Sequence, residues 1–171
     1  MKIKHKELHR IVSTAIIYRP AKQKDGRPTY LLLRRSLEKK AFPGKWTVPG
    51  GGLETDDYVN TPKTTKDHWY FAIGNSLKRE IKEECNLEVG RVKYLLDITF
   101  IRSDGQPVII LSFYCPYKSG RVKLDEDDIE YTWATYPEAR KYDLIEGILG
   151  EIALVDKILQ GKDGNRIKYK Y

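Results

Sequence analysis

The sequence is poor in the residues that build thiolate metal sites and disulfide frameworks. Its 171 residues include two cysteines, Cys85 and Cys115, and three scattered histidines. Two isolated cysteines make neither a zinc framework nor a disulfide scaffold, and scattered histidines argue against a histidine metal site or a catalytic triad. Cys115 lies in an apolar run and is predicted to be a small core residue.

Long hydrophobic runs are also lacking. No apolar stretch approaches the roughly 20 residues that a membrane span requires, and residues 1–10 are polar and basic, unlike a signal peptide. We therefore expect a cytoplasmic protein without a membrane partner. A length of 171 residues fits one globular domain, so we predict that residues 1–171 form a single domain with short basic terminal tails. Hydrophobic residues make up 40% and charged residues 32%, which argues against a membranous or disordered chain.

Positive charge is in excess, with a net charge of +7 at pH 7. This excess favours anionic partners such as nucleotides, nucleic acid or a membrane surface, but it does not choose among them. Much of it lies in residues 2–6 and 166–170, which we interpret as solvated tails.

Runs rich in β-branched and aromatic residues alternate with polar turns and predict both strands and helices. The predicted strands are residues 11–18, 30–34, 46–48, 88–101, 106–117 and 131–135, and the predicted helices are 69–85, 137–141 and 144–160. The first two strands are expected to form a hairpin around a turn at residues 22–28. Residues 56–67 are polar, contain Pro62, and are predicted to be a mobile, exposed loop.

The strongest chemical signal is the segment Arg79-Glu80-Ile81-Lys82-Glu83-Glu84, within the helix predicted at residues 69–85. A helix turns about 100° per residue, so its three glutamates fall within an arc of about 100°. Carboxylates crowded on one face repel one another unless a cation lies among them, and such oxygen-rich clusters suit magnesium or manganese. Taken alone, the segment is more often a solvated, salt-bridged helix face.

A glycine turn, Pro49-Gly50-Gly51-Gly52-Leu53-Glu54, lies upstream and lets the backbone approach a ligand where a Cβ atom would clash. The two segments together, in this order, resemble the Nudix box, G-x5-E-x7-R-E-U-x-E-E-x-G-U, in which U is apolar. Gly51 takes the position of the first glycine, Arg79-Glu80 that of the R-E pair and Glu83-Glu84 that of the E-E pair. On this motif the sequence is similar to the MutT-like Nudix hydrolases.

The sequence departs from the motif at three points. Asp57 replaces the first glutamate, and Asn86 replaces the late glycine, where asparagine tolerates a left-handed conformation. Between Asp57 and Arg79 there are 21 residues where the motif has 7, an insertion of 14. Because Arg79 and the three glutamates are intact, we expect the insertion to affect loop geometry more than metal binding.

The resemblance implies an α+β protein, an α/β/α sandwich around a mixed β-sheet, in which the box forms a loop–helix–loop. It implies catalytic roles for Arg79, Glu80, Glu83 and Glu84. By the same similarity, the Gly51 carbonyl and the three glutamates would hold Mg2+ or Mn2+, and Arg79 would orient the glutamates. Such an ion neutralises phosphate charge and lowers the pKa of a bound water, which attacks in line.

An acid must also accept the proton of the attacking water. Glu80 is one candidate, and the acidic loop predicted at residues 124–130 offers Glu126, Asp128 and Glu130. Glu130 takes roughly the place where many relatives carry such a residue, so it is the catalytic candidate of this loop. The alternative interpretation is a solvated turn.

Two arginines end the second predicted strand. In some relatives that cleave nucleoside triphosphates a similar pair contacts phosphate, and Arg35 matches that position better than Arg34. The guanidinium fork suits phosphate oxygens, although a solvated strand end is an equal alternative. Trp46, Tyr70 and Phe71 are candidates for stacking a base, but aromatic residues in such places belong more often to the core.

The favoured function is magnesium-dependent hydrolysis of a phosphoanhydride bond in a nucleoside di- or triphosphate or a related derivative. One alternative is an ADP-ribose or RNA 5′-end pyrophosphohydrolase. Another, of a different class, is a non-catalytic nucleotide- or nucleic-acid-binding module with the same fold, which the intact glutamates disfavour. The expected partner is a small nucleotide-like substrate. RNA is less favoured, and a homodimer is compatible with the sequence.

Overall fold

The computed structural model describes residues 6–21 and 26–162, so most of the basic tails and part of the turn at residues 22–28 lie outside the described residues. The elements follow one another as β1 (Arg10–Arg19), β2 (Thr29–Arg35), β3 (Trp46–Thr47), β4 (Gly50–Gly52), α1 (Asp56–Val59), α2 (Ala72–Cys85), β5 (Leu87–Val89), β6 (Lys93–Ile101), β7 (Pro107–Gly120), β8 (Asp128–Ala134), α3 (Tyr136–Ala139) and α4 (Ile148–Leu159). In this part of the chain no helix is long and apolar enough to cross a membrane.

The eight strands form a mixed sheet in which β1 lies between β2 and β7. β1 runs parallel to β7 and antiparallel to β2, where Tyr18 lies opposite Tyr30. In addition, β4 pairs with β1, β6 with β7, and β8 with β2. The predicted hairpin between the first two strands and the predicted mixed sheet are therefore confirmed.

Strand side chains alternate between two cores, one on each face of the sheet. The core under α2 contains Ala15, Ile17, Leu31, Leu33, Leu77 and Ile81. The core under α4 contains Ile16, Tyr30, Leu32, Ile152 and Val155. Each such buried aliphatic side chain contributes about 1.5–3 kcal/mol relative to an exposed one. Helices thus cover both faces, as the α/β/α sandwich requires.

Cys115 is fully buried under α2, as predicted.

Glycines explain two differences from the predicted elements. α4 begins at Ile148 rather than at residue 144, because Gly147 precedes it with a φ of 91°, outside the helical region. The strand predicted at residues 88–101 is two strands, β5 and β6, that separate at Gly90. The backbone passes so close to Pro116 there that a Cβ on Gly90 would lie 2.8 Å from the proline ring.

α2 carries the acidic residues of the motif. It begins at Ala72 rather than at residue 69, because Phe71 has a left-handed φ of 63° that the helix cannot continue through. Leu77 and Ile81 are fully buried on its inner face. As predicted, Asn86 ends the helix in the left-handed conformation, with its N–H donating to the Lys82 carbonyl.

The segment between the glycine turn and α2 is partly helical. The prediction that residues 56–67 are a loop is wrong for residues 56–59, which form α1 because the Val59 N–H bonds back to the Thr55 carbonyl at 2.9 Å. Residues 60–68 are irregular and exposed, as expected. Their mobility stays a prediction.

Candidate active site

Glycines 50–52 form the strand β4 rather than only a turn, and this strand pairs with β1. The approach is so close that a Cβ on Gly50 would lie 2.2 Å from the Ser13 carbonyl oxygen. A Cβ on Gly51 would lie 2.2 Å from the carboxyl carbon of Glu80. Glycine is therefore required here because it lets β4 fit between β1 and the carboxylates of α2.

Arg79 gathers acidic side chains around its guanidinium. Its Nη2 atom lies 2.9 Å from Glu80, and its Nη1 atom lies 2.7 Å from Glu83. Its Nε atom lies 2.5 Å from Oδ1 of Asp57. Charge-assisted bonds to one guanidinium offset the mutual repulsion of these carboxylates. These carboxylates in turn raise the pKa of Arg79, and the hydrogen bond to Asp57 is the largest cause of the shift.

Asp57 is a buried ion-pair partner of Arg79. Its side chain is 3% exposed, and its Oδ2 atom accepts the Glu54 N–H at 2.9 Å. The hydrogen bond from Arg79 lowers the pKa of Asp57 to about 2, against the opposing effect of burial. Asp57 therefore stays ionised near neutral pH and holds Arg79 in place, even though it replaces the glutamate of the motif and lies 22 positions before Arg79.

A second acidic group lies where α2 meets the start of β8. Burial raises the pKa of Glu84 to about 8, and the negative charge of Asp128 adds to this effect. Burial also raises the pKa of Asp128 to about 6, while the charge of Arg35 opposes the shift. The Oδ1 atom of Asp128 is buried without a hydrogen-bond partner among residues 6–21 and 26–162. Such an oxygen is costly unless a donor or cation binds it.

Known proteins resemble this chain both in sequence and in fold. No family model matches the chain. The chain is 29% identical over 135 residues to the nucleoside triphosphatase NudI of Escherichia coli, an alignment that covers 73% of this chain and 84% of the relative. The structure of the MutT protein from Methanosarcina mazei Go1 matches with a TM-score of 0.64 at 23% identity, covering 94% of this chain and all of that one.

The chain is similar to the MutT-like Nudix family, as the sequence motif predicts. Its fold is shared more widely, since the NUDIX domain of Shewanella oneidensis NrtR, solved with ADP ribose, matches with a TM-score of 0.65 at 12% identity, covering 94% of this chain and 93% of that one. The predicted resemblance to MutT-like Nudix hydrolases and the α+β Nudix fold are confirmed, and the names of these relatives support the predicted enzyme class.

Glu130 lies on the side of the sheet away from the acids of the Nudix box. On β2, Leu32 belongs to the core under α4, so strand alternation places Arg34 on that same face. Glu130 lies opposite Arg34 in the ladder, and its Oε2 atom is 3.2 Å from Arg34 Nη1. The structure therefore does not bring Glu130 to the box, and its role as proton acceptor stays a prediction.

A bulge at the start of β8 brings Asp128 to the Nudix box instead. Arg34 pairs with Glu130 but Arg35 pairs with Asp128, so β8 has one additional residue, Ile129, at this point. A bulge of this kind re-aims the side chains that follow it. The prediction that residues 124–130 form a loop is wrong for its last three residues, because they join β8. Strand alternation alone would place Asp128 and Glu130 on one face, so the two could not be separated before the bulge was seen.

The residues of the Nudix box have the right chemistry to bind a divalent cation, but their side chains are not already arranged around a metal position. Within the described ranges no group of three or more Asp, Glu, His or Cys side chains is arranged to hold a metal ion, and Arg79 already contacts Glu80 and Glu83. Every available donor is an oxygen, the type that Mg2+ and Mn2+ prefer. Gly51 leaves room for Glu80 against the backbone, and Asp128 has an unsatisfied buried oxygen. The residues present therefore fit such an ion.

A cavity of about 350 Å³ opens beside the box. It is lined by Glu54, Asp56, Asp57, Asn75, Arg79 and Glu83. Of the aromatic candidates, Trp46 is buried in the core, as expected for a residue beside the glycine turn. The expectation of a core position is wrong for Tyr70 and Phe71, which are exposed, because the left-handed Phe71 ends the irregular segment before α2 can bury either ring.

Proposed function

We propose that this protein is a Mg2+- or Mn2+-dependent hydrolase that cleaves a phosphoanhydride bond in a nucleoside di- or triphosphate, or a related nucleotide derivative, in the cytoplasm. The observation that carries the proposal is the contact of Arg79 with both Glu80 and Glu83 beside the glycine strand β4. This contact gathers carboxylates where the backbone can also reach a ligand. A module that only binds nucleotides has no need of such a cluster.

Four groups would hold the metal, namely the Gly51 carbonyl and the carboxylates of Glu80, Glu83 and Glu84. When bound, the ion supplies charge neutralisation for the phosphates and makes the attacking water more acidic. Arg79 positions Glu80 and Glu83 through its two Nη atoms. The Gly50 N–H positions Glu84 through a hydrogen bond of 2.8 Å.

The proton of the attacking water needs an acceptor within hydrogen-bond reach. Glu130 is the acceptor expected from the sequence, and Asp128 is a second candidate because its charge acts on Glu84. Replacing each by its amide separates the two. Loss of the acceptor lowers kcat, whereas loss of a residue that only supports the fold lowers thermal stability instead.

Arg35 is proposed to bind a phosphate group of the substrate. Its Nε atom donates to the Ala41 carbonyl at 3.0 Å, which fixes the direction of the guanidinium. It pairs with Asp128 in the ladder, and strand alternation places it on the face of Leu33, under α2 and on the side of the Nudix box. A fixed guanidinium fork can donate hydrogen bonds to two phosphate oxygens at once.

The decisive experiment is a screen of nucleotides with Mg2+ in which released phosphate and pyrophosphate are measured separately. Glu83→Gln and Glu84→Gln should abolish turnover, while Glu88→Gln, at an exposed glutamate of β5, is the matched control. Unchanged turnover in both box variants would remove the proposal. Selective cleavage of ADP-ribose or of RNA 5′ ends would support those alternatives, and salt-dependent retention on RNA without Mg2+ would support a nucleic-acid-binding module.

A further inference from the structure

The inserted segment presents a bare aromatic ring at the N-terminal end of α2. The side chain of Phe71 is 82% exposed, more than any other large hydrophobic residue of the described chain. Its backbone has a φ of 63°, a region that costs a bulky residue energy. Exposure and backbone strain both work against stability at this position. The ring of Tyr70, with its centroid 6.3 Å away, is itself 56% exposed and leaves most of Phe71 open to solvent.

The exposure of Phe71 is not the result of a loose segment. The Trp69 Nε1 atom donates to the Thr61 carbonyl at 3.0 Å, and the Thr64 N–H donates to the His68 carbonyl at 2.9 Å. The rings of Tyr58 and Trp69 pack with their centroids 5.5 Å apart. The segment is therefore folded on itself, and it buries Trp69 in part while it holds Phe71 outward.

Phe71 stands at one end of a row of residues that leads to the acidic cluster. Phe71, Asn75, Arg79 and Glu83 follow one another at four-residue intervals, and such residues are neighbours on a helix surface. The last three line the cavity beside the Nudix box. Eight residues separate Phe71 from Arg79, a rise of about 12 Å along the helix. That span suits an extended nucleotide whose phosphates lie at Arg79.

We propose that Phe71 stacks on the base of a bound nucleotide, so that the inserted segment forms the base-binding end of the active site. The proposal rests on the proposed function, since the phosphates must lie beside the Nudix box. An aromatic ring binds a base by stacking on its face, and it does not contact the hydrogen-bonding edge that distinguishes one base from another. The subsite therefore accepts different bases, with a preference for the larger purine surface.

The test compares Phe71→Ala with Phe100→Ala, an exposed phenylalanine of β6. Loss of one stacking contact should raise KM for a nucleoside triphosphate about 5- to 150-fold. KM for ribose 5-triphosphate, which has no base, should stay unchanged, and so should both KM values of Phe100→Ala. Phe71→Trp should keep the affinity of the wild type. Equal losses for the substrate with a base and the substrate without one would overturn the proposal.

The backbone strain at Phe71 offers a second measurement. Phe71→Gly and Phe71→Asn place residues that tolerate a positive φ, so their Tm should match or exceed that of the wild type. Their KM for the nucleoside triphosphate should nevertheless rise as in Phe71→Ala. A large fall in Tm would instead assign the ring a structural role, and a change in oligomeric state with KM unaltered would assign it to contact between copies of the chain.

Binding separates this proposal from the proposed function. The affinity of a non-hydrolysable nucleoside triphosphate, measured by calorimetry with Mg2+, should weaken in Phe71→Ala by the same factor as KM. If the wild type binds this analogue through Phe71 but hydrolyses no nucleotide, the proposed function fails and the base subsite stands. If hydrolysis occurs and neither Kd nor KM responds to Phe71, the base subsite fails alone.

Discussion

The Nε atom of Arg79 lies 2.5 Å from Oδ1 of Asp57, although 21 residues separate the two in the sequence. This ion pair joins the two ends of the inserted segment next to the Nudix box. Because the ends are held together, the additional residues extend outward and α2 keeps its contacts with β4. The insertion therefore changes what borders the site while the acidic residues stay in place.

We expect Asp57→Asn to destabilise the protein and to lower kcat/KM. The amide cannot balance the charge of Arg79, and losing a charge-assisted hydrogen bond costs about 1.5–3 kcal/mol. For a chain of this length the Tm should fall by about 3–12 °C. Thermal denaturation of Asp57→Asn and of Asp56→Asn, at an exposed neighbour in the same helix, gives the comparison. Equal Tm values would show that the ion pair does not hold the segment.

Gly51→Ala should abolish activity at little cost in overall stability. The added Cβ would lie 2.2 Å from the Glu80 carboxyl carbon, so this side chain must leave its position beside Arg79. The matched control is Gly74→Ala in α2, where a Cβ would meet no atom of the described chain within 4 Å. In a helix this change stabilises by about 0.5–1 kcal/mol. Turnover with saturating Mg2+ and nucleotide checks both variants, and full activity of Gly51→Ala would contradict the proposed geometry.

Stability should decrease with rising pH because of Glu151, a buried acid of α4. Burial raises its pKa, although the hydrogen bond with Ser112 opposes the shift. Because the folded state binds this proton more tightly than the unfolded chain, the contribution of Glu151 is most favourable below its unfolded pKa. It is lost as the pH rises through the folded pKa.

Glu151→Gln should therefore be more stable than the wild type at pH 8, and the difference should shrink towards pH 4. Urea unfolding at several pH values measures it, with the exposed Glu146→Gln as the control. If the wild type instead becomes more stable relative to Glu151→Gln as the pH rises, the folded state favours the ionised form of Glu151, and the prediction is wrong.

The motif and the alternating strands could be predicted from the sequence because they depend on local order and spacing. Arg79 and Glu83 lie four residues apart in one helix, so their contact follows from helix geometry. The contact of Asp57 with Arg79 could not be predicted, since it depends on how an irregular segment folds back. The placement of Asp128 depends on the single additional residue Ile129 in β8, and the two-residue alternation of a strand gives no sign of it.

Arg35 should be more important for activity than Arg34. Arg34 is engaged by Glu130 on the face under α4, whereas the charge of Arg35 acts on Asp128 beside the Nudix box. If Arg35 binds phosphate, Arg35→Ala should lower kcat/KM for a nucleoside triphosphate at least about tenfold. Arg34→Ala should act mainly on stability. Steady-state kinetics and Tm of the two variants make the comparison.

Arg35→Lys should recover only part of the loss, because an ammonium group cannot reproduce the guanidinium fork. The salt dependence adds a second check, since a phosphate contact weakens as ionic strength screens it. Arg35→Ala should therefore respond less to added salt than the wild type. If Arg34→Ala proves the more sensitive variant, the substrate must approach from the face under α4, and Glu130 rather than Asp128 becomes the acid nearest to its phosphates.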